Sequence, residues 1–298
     1  MSAEPRGPQI LAELGLPPDF QMDIFLVAEK LRSLGKLEEV PDTALDSTCG
    51  YVEKLGLHTR AISGPGKGVS DVFFAHSHRA LENVHSLEKS QRLKRNAGKR
   101  AKACRAIGKA LGYPSCCVES FIASARQNDE ERLKSFTQSI TKPINSKLNF
   151  FPRSYAPTGY LPCTPKCPNA LRHSEAILKV LEQRYAIKTA DILDSLSGII
   201  VWASGPHFLF FKGVEVGNSE NFHYEDVYGS HELISLPETS RHKTASHSMD
   251  SLLLKLREGD RLFLQESGAV VYSKDHEVLE WNKPGLSSNA LHFARMDA

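Results

Sequence analysis

Apolar residues recur along this chain at two periods, and the change from one to the other divides it. Near the start, Ile24, Val27, Ala28, Leu31 and Leu34 fall three and four apart, which predicts a helix ended by Gly35. Two strand-like runs follow, His58 to Ile62 and Val69 to Ala75, joined by Ser63-Gly64-Pro65-Gly66-Lys67-Gly68 and read as a hairpin. The helical period then returns: Leu93, Ala97, Cys104, Ile107 and Leu111 form one stripe, Val118, Phe121 and Ile122 follow Pro114, and Ala176, Ile177, Val180 and Leu181 follow Pro168. From about residue 196 the pattern changes to strands: Gly198 to Ala203, His207 to Val216, Arg261 to Gln265, Ala269 to Ser273 and Val278 to Trp281, separated by Gly, Pro, Ser and Asp turn signals. The fold class expected is α+β, a helical cysteine-bearing region followed by a C-terminal antiparallel β-rich region.

Three zones follow from this reading: an N-terminal helical segment, 1–48, a mainly helical cysteine domain, 49–195, and a β-rich domain, 196–298. The polar stretch 217–250 holds His223, His231, His242 and His247 and is long enough for a binding loop, part of which can be a short helix. With 298 residues and 41% apolar content the chain can bury a substantial core, and it has no apolar run near the length of a membrane span. Met1 to Gly15 lacks the basic and apolar segments of a secretion signal, so a reducing cytoplasm is expected.

Net charge is only +2, but nine basic residues and no acidic one lie between Lys89 and Ser115. On a helix, Arg95, Lys99, Lys102, Arg105 and Lys109 line up opposite the apolar stripe, a face suited to phosphate groups or to an acidic neighbour. It has no interleaved aromatic residues for stacking on single strands. The Gly-rich turn at 63–68 is not a phosphate loop, because its spacing is short and Gly68 stands where a magnesium-binding hydroxyl belongs.

Cysteine carries the strongest chemical signal. Gly112-Tyr113-Pro114-Ser115-Cys116-Cys117 is answered downstream by Pro162-Cys163-Thr164-Pro165-Lys166-Cys167. Thiolates are soft donors for zinc and iron–sulfur clusters, and the flanking prolines stiffen both pairs. Both pairs also fall at expected helix starts, where free amide groups and the helix dipole favour negative sulfur. A shared site of Cys116, Cys117, Cys163 and Cys167 is therefore expected, with a reactive dithiol or unrelated core thiols as the other readings. Cys104 lies on an apolar stripe and reads as a core thiol. The irregular spacing favours an iron–sulfur cluster, 4Fe-4S in type, over repeated zinc knuckles, with zinc as the alternative.

The two motifs resemble those of an uncharacterised prokaryotic family with a Gly-Tyr-Pro-x-Cys-Cys segment and a later Pro-Cys-x-x-x-Cys segment, a resemblance spanning about residues 70–185. It implies shared ligands and no particular activity. A looser similarity links the adjacent pair to cysteine-rich iron–sulfur proteins such as heterodisulfide reductase subunits, although no glycine follows Cys117. Candidate catalytic groups are His76 and His78, at an expected helix start, and Tyr155 and Tyr160, in the segment that leads to Cys163. The expected function is an iron–sulfur enzyme using its cluster for redox or Lewis-acid chemistry on a small anionic substrate or with a redox partner. The alternative is a zinc-stabilised module that binds nucleic acid or protein through the basic helix.

Overall fold

The computed structural model describes residues 11–296, except 17–19, 65, 93–95, 125–126, 128–130, 133–134, 137–142, 205–206, 214, 219–220, 230–246, 266, 275, 283–289 and 295. The first helix, α1 (Met22–Ala28), is shorter than its apolar spacing predicts. Lys30 takes a left-handed conformation, φ 59°, and the amides of Leu31 and Arg32 both turn back to the Leu26 carbonyl. Gly35 therefore caps no helix. It opens strand β1 (Gly35–Pro41), where the Phe74 ring occupies the space a side chain would need.

After helix α2 (Leu45–Lys54) comes the hairpin of β2 (His58–Ser63) and β3 (Val69–Ala75), paired in antiparallel register from His58 opposite Ala75 to Ser63 opposite Ser70. Strand β1 adds to the other edge of β3, so the sheet order is β1-β3-β2 and the first zone is hydrogen-bonded to the second. Helices α3 (His78–Glu82) and α4 (Val84–Gln91) follow. Lys36 of β1 reaches Asp71 of β3 at 3.1 Å and Glu88 of α4 at 3.0 Å, and Arg92 meets Asp71 at 3.0 Å. Two buried carboxylates are thus shared between two cations, as burial of a charge requires.

Helix α5 (Ala97–Ala110) buries Cys104 and Ile107 and turns Lys99, Lys102, Arg105 and Lys109 to solvent. Leu93, Lys94 and Arg95 lie outside the described residues. Helix α6 (Ser115–Ala123) packs on α5 where Gly108 faces Val118, and a Cβ on Gly108 would lie 2.6 Å from Val118 Cγ2. Strand β4 (Ile144–Asn145), helix α7 (Pro168–Tyr185) and helix α8 (Thr189–Leu196) complete this region.

The β-rich part forms two sheets. One contains β5 (Gly198–Ser204), β6 (His207–Lys212), β9 (Asp226–Gly229) and β13 (Leu291–Ala294), with β4 at its edge, in the order β4-β13-β5-β6-β9. The other joins β7 (Glu215–Asn218), β8 (Asn221–His223), β10 (Arg261–Leu264), β11 (Gly268–Ser273) and β12 (His276–Asn282) in the order β12-β11-β10-β8-β7. The long run read from His207 breaks at Gly213, where φ is 72°. Of the polar stretch 217–250, its first part supplies strands and its last residues begin helix α9 (His247–Leu256), while His231 and His242 lie outside the described residues.

Alternation along β5 and β6 makes their sheet the middle layer. Ile200, Phe208 and Phe210 join the core beneath the helices, whereas Ile199, Val201, Leu209 and Phe211 join the core shared with the second sheet and α9. Strand β13 pairs in parallel with β4, so the β-rich region completes the floor under the cysteine-bearing helices. Among the described residues no helix is long and apolar enough to cross a membrane.

Candidate metal centre

The segment between α5 and α6 places the first thiol pair. Gly112, at φ 74°, ends α5 in the left-handed conformation that glycine adopts without strain, and the Tyr113 amide closes back on the Gly108 carbonyl at 2.8 Å. Pro114 leads directly into α6, so Cys116 and Cys117 sit in its first turn. The second pair brackets a tight loop in which the Cys167 amide donates to the Thr164 carbonyl at 3.2 Å. Cys167 is itself the N-cap of α7: its sulfur accepts from the Ala170 amide at 3.4 Å, and Pro168 fills the next position, where no amide donor is needed. Two helix starts thus converge on the four sulfurs, and their dipoles favour negative charge there.

The four Sγ atoms of Cys116, Cys117, Cys163 and Cys167 all lie within 4.8 Å of one another. Cys116 is 3.6 Å from Cys167 and 3.9 Å from Cys117, and Cys117 is 3.7 Å from Cys167. Cys117 and Cys167 are buried, and the other two are half-buried. This group can hold a metal ion. Among the described residues it contains only cysteines.

Burial and the neighbouring sulfurs set the electrostatics of these donors. Burial pushes the Cys117 thiol up, against a hydrogen bond from the Cys163 amide, and burial with neighbouring sulfur raises Cys163 to about 11. Burial would raise Cys116 as well, but hydrogen bonds from Asn169, whose Nδ2 is 3.2 Å from the sulfur, and from the other thiols bring it below the ordinary thiol value. A bound cation reverses such penalties, because metal binding replaces thiol protons. Cys49 on α2 and Cys104 on α5 stand apart from the group, and burial raises both thiols.

The histidine and tyrosine candidates go different ways. His76 Nε2 hydrogen-bonds the Val27 carbonyl at 2.8 Å, and His78 stacks on His58 with ring centroids 3.8 Å apart. Neither belongs to the thiol group. Tyr155 is buried in the floor, its hydroxyl donating to the Ser195 carbonyl at 3.2 Å. Tyr160 lies beside the thiols: burial raises its phenol, and charge on Cys117 and Cys167 raises it further.

Sequence reasoning passed over four residues next to this centre. Asn169 and His173 lie on α7, Tyr113 belongs to the first cysteine motif, and Arg32 comes from the turn after α1. Asn169 and Tyr113 were within reach, since each lies two or three residues from a cysteine. Arg32 has no local signal.

Residues 90–193, which include all four thiols, match the model of a family described as "Protein of unknown function (DUF483)". The chain is also 32% identical over 93 residues to an uncharacterized protein of Methanocaldococcus jannaschii, a match covering 28% of this chain and 47% of that protein. The chain thus spans about half the length of the curated relative it matches. No solved structure matches. What this chain resembles is an uncharacterised family, through the segment that carries the converging cysteines.

Proposed function

We propose that the protein is a metal-stabilised binding protein in which Cys116, Cys117, Cys163 and Cys167 hold a single tetrahedral ion, zinc by preference. The observation that carries this reading is the set of sulfur separations of 3.6, 3.7 and 3.9 Å. Zinc–sulfur bonds of about 2.3 Å in a tetrahedron require sulfurs about 3.8 Å apart. In a 4Fe-4S cube each thiolate binds a different iron, so its ligands stand farther apart than those sharing one ion. A closed set of four protein ligands is also the pattern of structural zinc sites, since catalytic zinc keeps a position open. The Asn169 side chain and the Cys163 and Ala170 amides supply the hydrogen bonds that thiolate ligands need.

The deciding experiment is metal and sulfide analysis with an optical spectrum on full-length protein purified without oxygen. One equivalent of zinc, replaceable by cobalt with the visible bands of a tetrahedral thiolate complex, is the expected result. Iron and sulfide in near-equal amounts would instead establish the cluster and restore the redox or Lewis-acid enzyme reading. A second, weaker reading draws on the exposed Lys99, Lys102 and Lys109 of α5, which supply a basic face for nucleic acid or an acidic protein. Arg105 contributes less to it, because Glu119 holds its guanidinium at 2.6 and 2.7 Å.

A further inference from the structure

Beside the thiols lies a group of polar atoms that burial penalises and that have no partner. Arg32 is 3% exposed, and its Nη1 meets Asp23 Oδ1 at 2.6 Å. Its Nε and Nη2 are buried and unpartnered. The same holds for the Tyr160 hydroxyl and for His173 Nε2. Aromatic contacts run through the group: the Arg32 guanidinium lies 5.5 Å from the Tyr113 ring, Tyr113 is 4.5 Å from Tyr160, and Tyr160 is 6.0 Å from His173. Each unsatisfied buried donor or acceptor costs about 1–3 kcal/mol, more when charged. Several such atoms side by side therefore point to a missing partner.

The unsatisfied edge of Arg32 identifies the partner's chemistry. Nε–H and Nη2–H point the same way and form a planar fork that matches the two oxygens of a carboxylate. Asp23 occupies only the other side of the guanidinium. A phenol is protonated at neutral pH, so the unpartnered Tyr160 hydroxyl can donate a third hydrogen bond. Burial also holds His173 neutral, down to a pKa of about 4, and its Nε2 can donate or accept according to tautomer. Gly159 lies over Asp23 and the Nη1 side of the guanidinium and presents no side chain there.

We infer that Arg32, Tyr160 and His173 form a binding pocket for a small carboxylate-bearing molecule, with Tyr113 as its wall. The Gly-Tyr-Pro-x-Cys-Cys segment then serves two adjacent sites. Its cysteines face the metal centre, its tyrosine lines the pocket, and its glycine leaves room for the Arg32 stem, which a Cβ on Gly112 would approach to 3.0 Å. This goes beyond the metal reading and does not depend on which metal the thiols hold.

The test is a titration of the full-length, metal-loaded protein with sodium acetate, followed by heteronuclear NMR of the arginine Nε–H groups at constant ionic strength. Sodium chloride and sodium phosphate serve as comparisons, and metal content is read on the same sample, so loss of metal and loss of anion binding are separate results. The Arg32 resonance is expected to shift saturably at millimolar acetate, a concentration fitting so small a ligand. Tyr160→Phe removes only a hydroxyl without a partner and is expected to weaken binding about tenfold, the value of one hydrogen bond to a charged group. Arg32→Lys keeps the charge, removes the fork and is expected to abolish saturation. Where that variant fails to fold, Tyr160→Phe decides. A drift that chloride reproduces would mean that water satisfies these atoms and would overturn the pocket. Tighter saturation by phosphate would overturn the carboxylate assignment, and unchanged binding in Tyr160→Phe would overturn the three-residue arrangement.

Discussion

The two faces of the middle sheet look onto cores made of different materials. On the outer side Ile199, Val201, Leu209 and Phe211 meet Leu253, Leu256, Leu262 and Val271, an aliphatic and aromatic core of the ordinary kind. On the inner side Ile200, Phe208, Phe210 and Phe293 share their core with Tyr155, Cys117 and Cys167; burial raises the Tyr160 phenol and lowers the His173 ring, and the charge of the buried Arg32 opposes the first shift and adds to the second. Burial stabilises the outer core directly. The inner region contains groups that burial destabilises until a cation or a hydrogen-bonding ligand compensates them. On the proposed reading one region is self-sufficient, while the other depends on what it binds.

The most severe way to break this comparison is to remove a buried thiol. Cys117→Ser is expected to lose the metal and about 4 kcal/mol or more, since loss of a metal belongs to the few mechanisms that exceed the usual mutational range. Hydrogen exchange should then show α6 and α7 losing protection well before β10 and β11. Equal loss in both regions would mean that they unfold as one unit.

Phe211→Ala sharpens the contrast from the other side. Truncation of a fully buried phenylalanine costs about 3–5 kcal/mol, and denaturant unfolding should register it while metal content stays unchanged.

A smaller effect separates the regions by pH. The unfolded His173 ring takes a proton below about 6.5, whereas the folded ring does so only below about 4. Between these values the unfolded state binds more protons, so stability falls as pH drops through the window and is insensitive to this residue above it. His173→Gln should flatten that part of the profile in thermal melts, and a variant that keeps the full slope would count against the assignment. The smallest change expected is at the exposed pair on α5 and α6: Arg105→Ala should leave the melting temperature unmoved, because such pairs are solvated and screened.

What the sequence disclosed follows the same division between local and distant causes. The hairpin of β2 and β3 was legible because its turn and both apolar runs lie within one short stretch. The thiol motifs were legible because Gly112, Pro114 and Pro168 set the local backbone around them. The stretch 29–34 reads as the tail of a helix, since Leu31 and Leu34 keep the helical spacing while the Lys30 backbone turns the chain away toward strand β1. Gly35 was misread for a related reason: its small size serves a ring from β3 and not a helix end. The split of the β region into two sheets depends on which face of β5 meets which core, and strands buried on both faces carry no alternation to read. Arg32 escaped because its partners, Asp23 apart, lie far along the chain.

The position of β13 has a consequence for the order of events during synthesis. This strand lies inside its sheet, between β4 and β5, and Phe293 fills the floor beneath the thiols. A ribosome must therefore pass residue 294 before the helices that carry the cysteines have their full support. Until then the nascent chain holds four thiols with part of their packing missing, and contacts that wait on such distant partners form slowly. On the metal reading, an ion bound at that stage would hold the two cysteine pairs together ahead of the sheet.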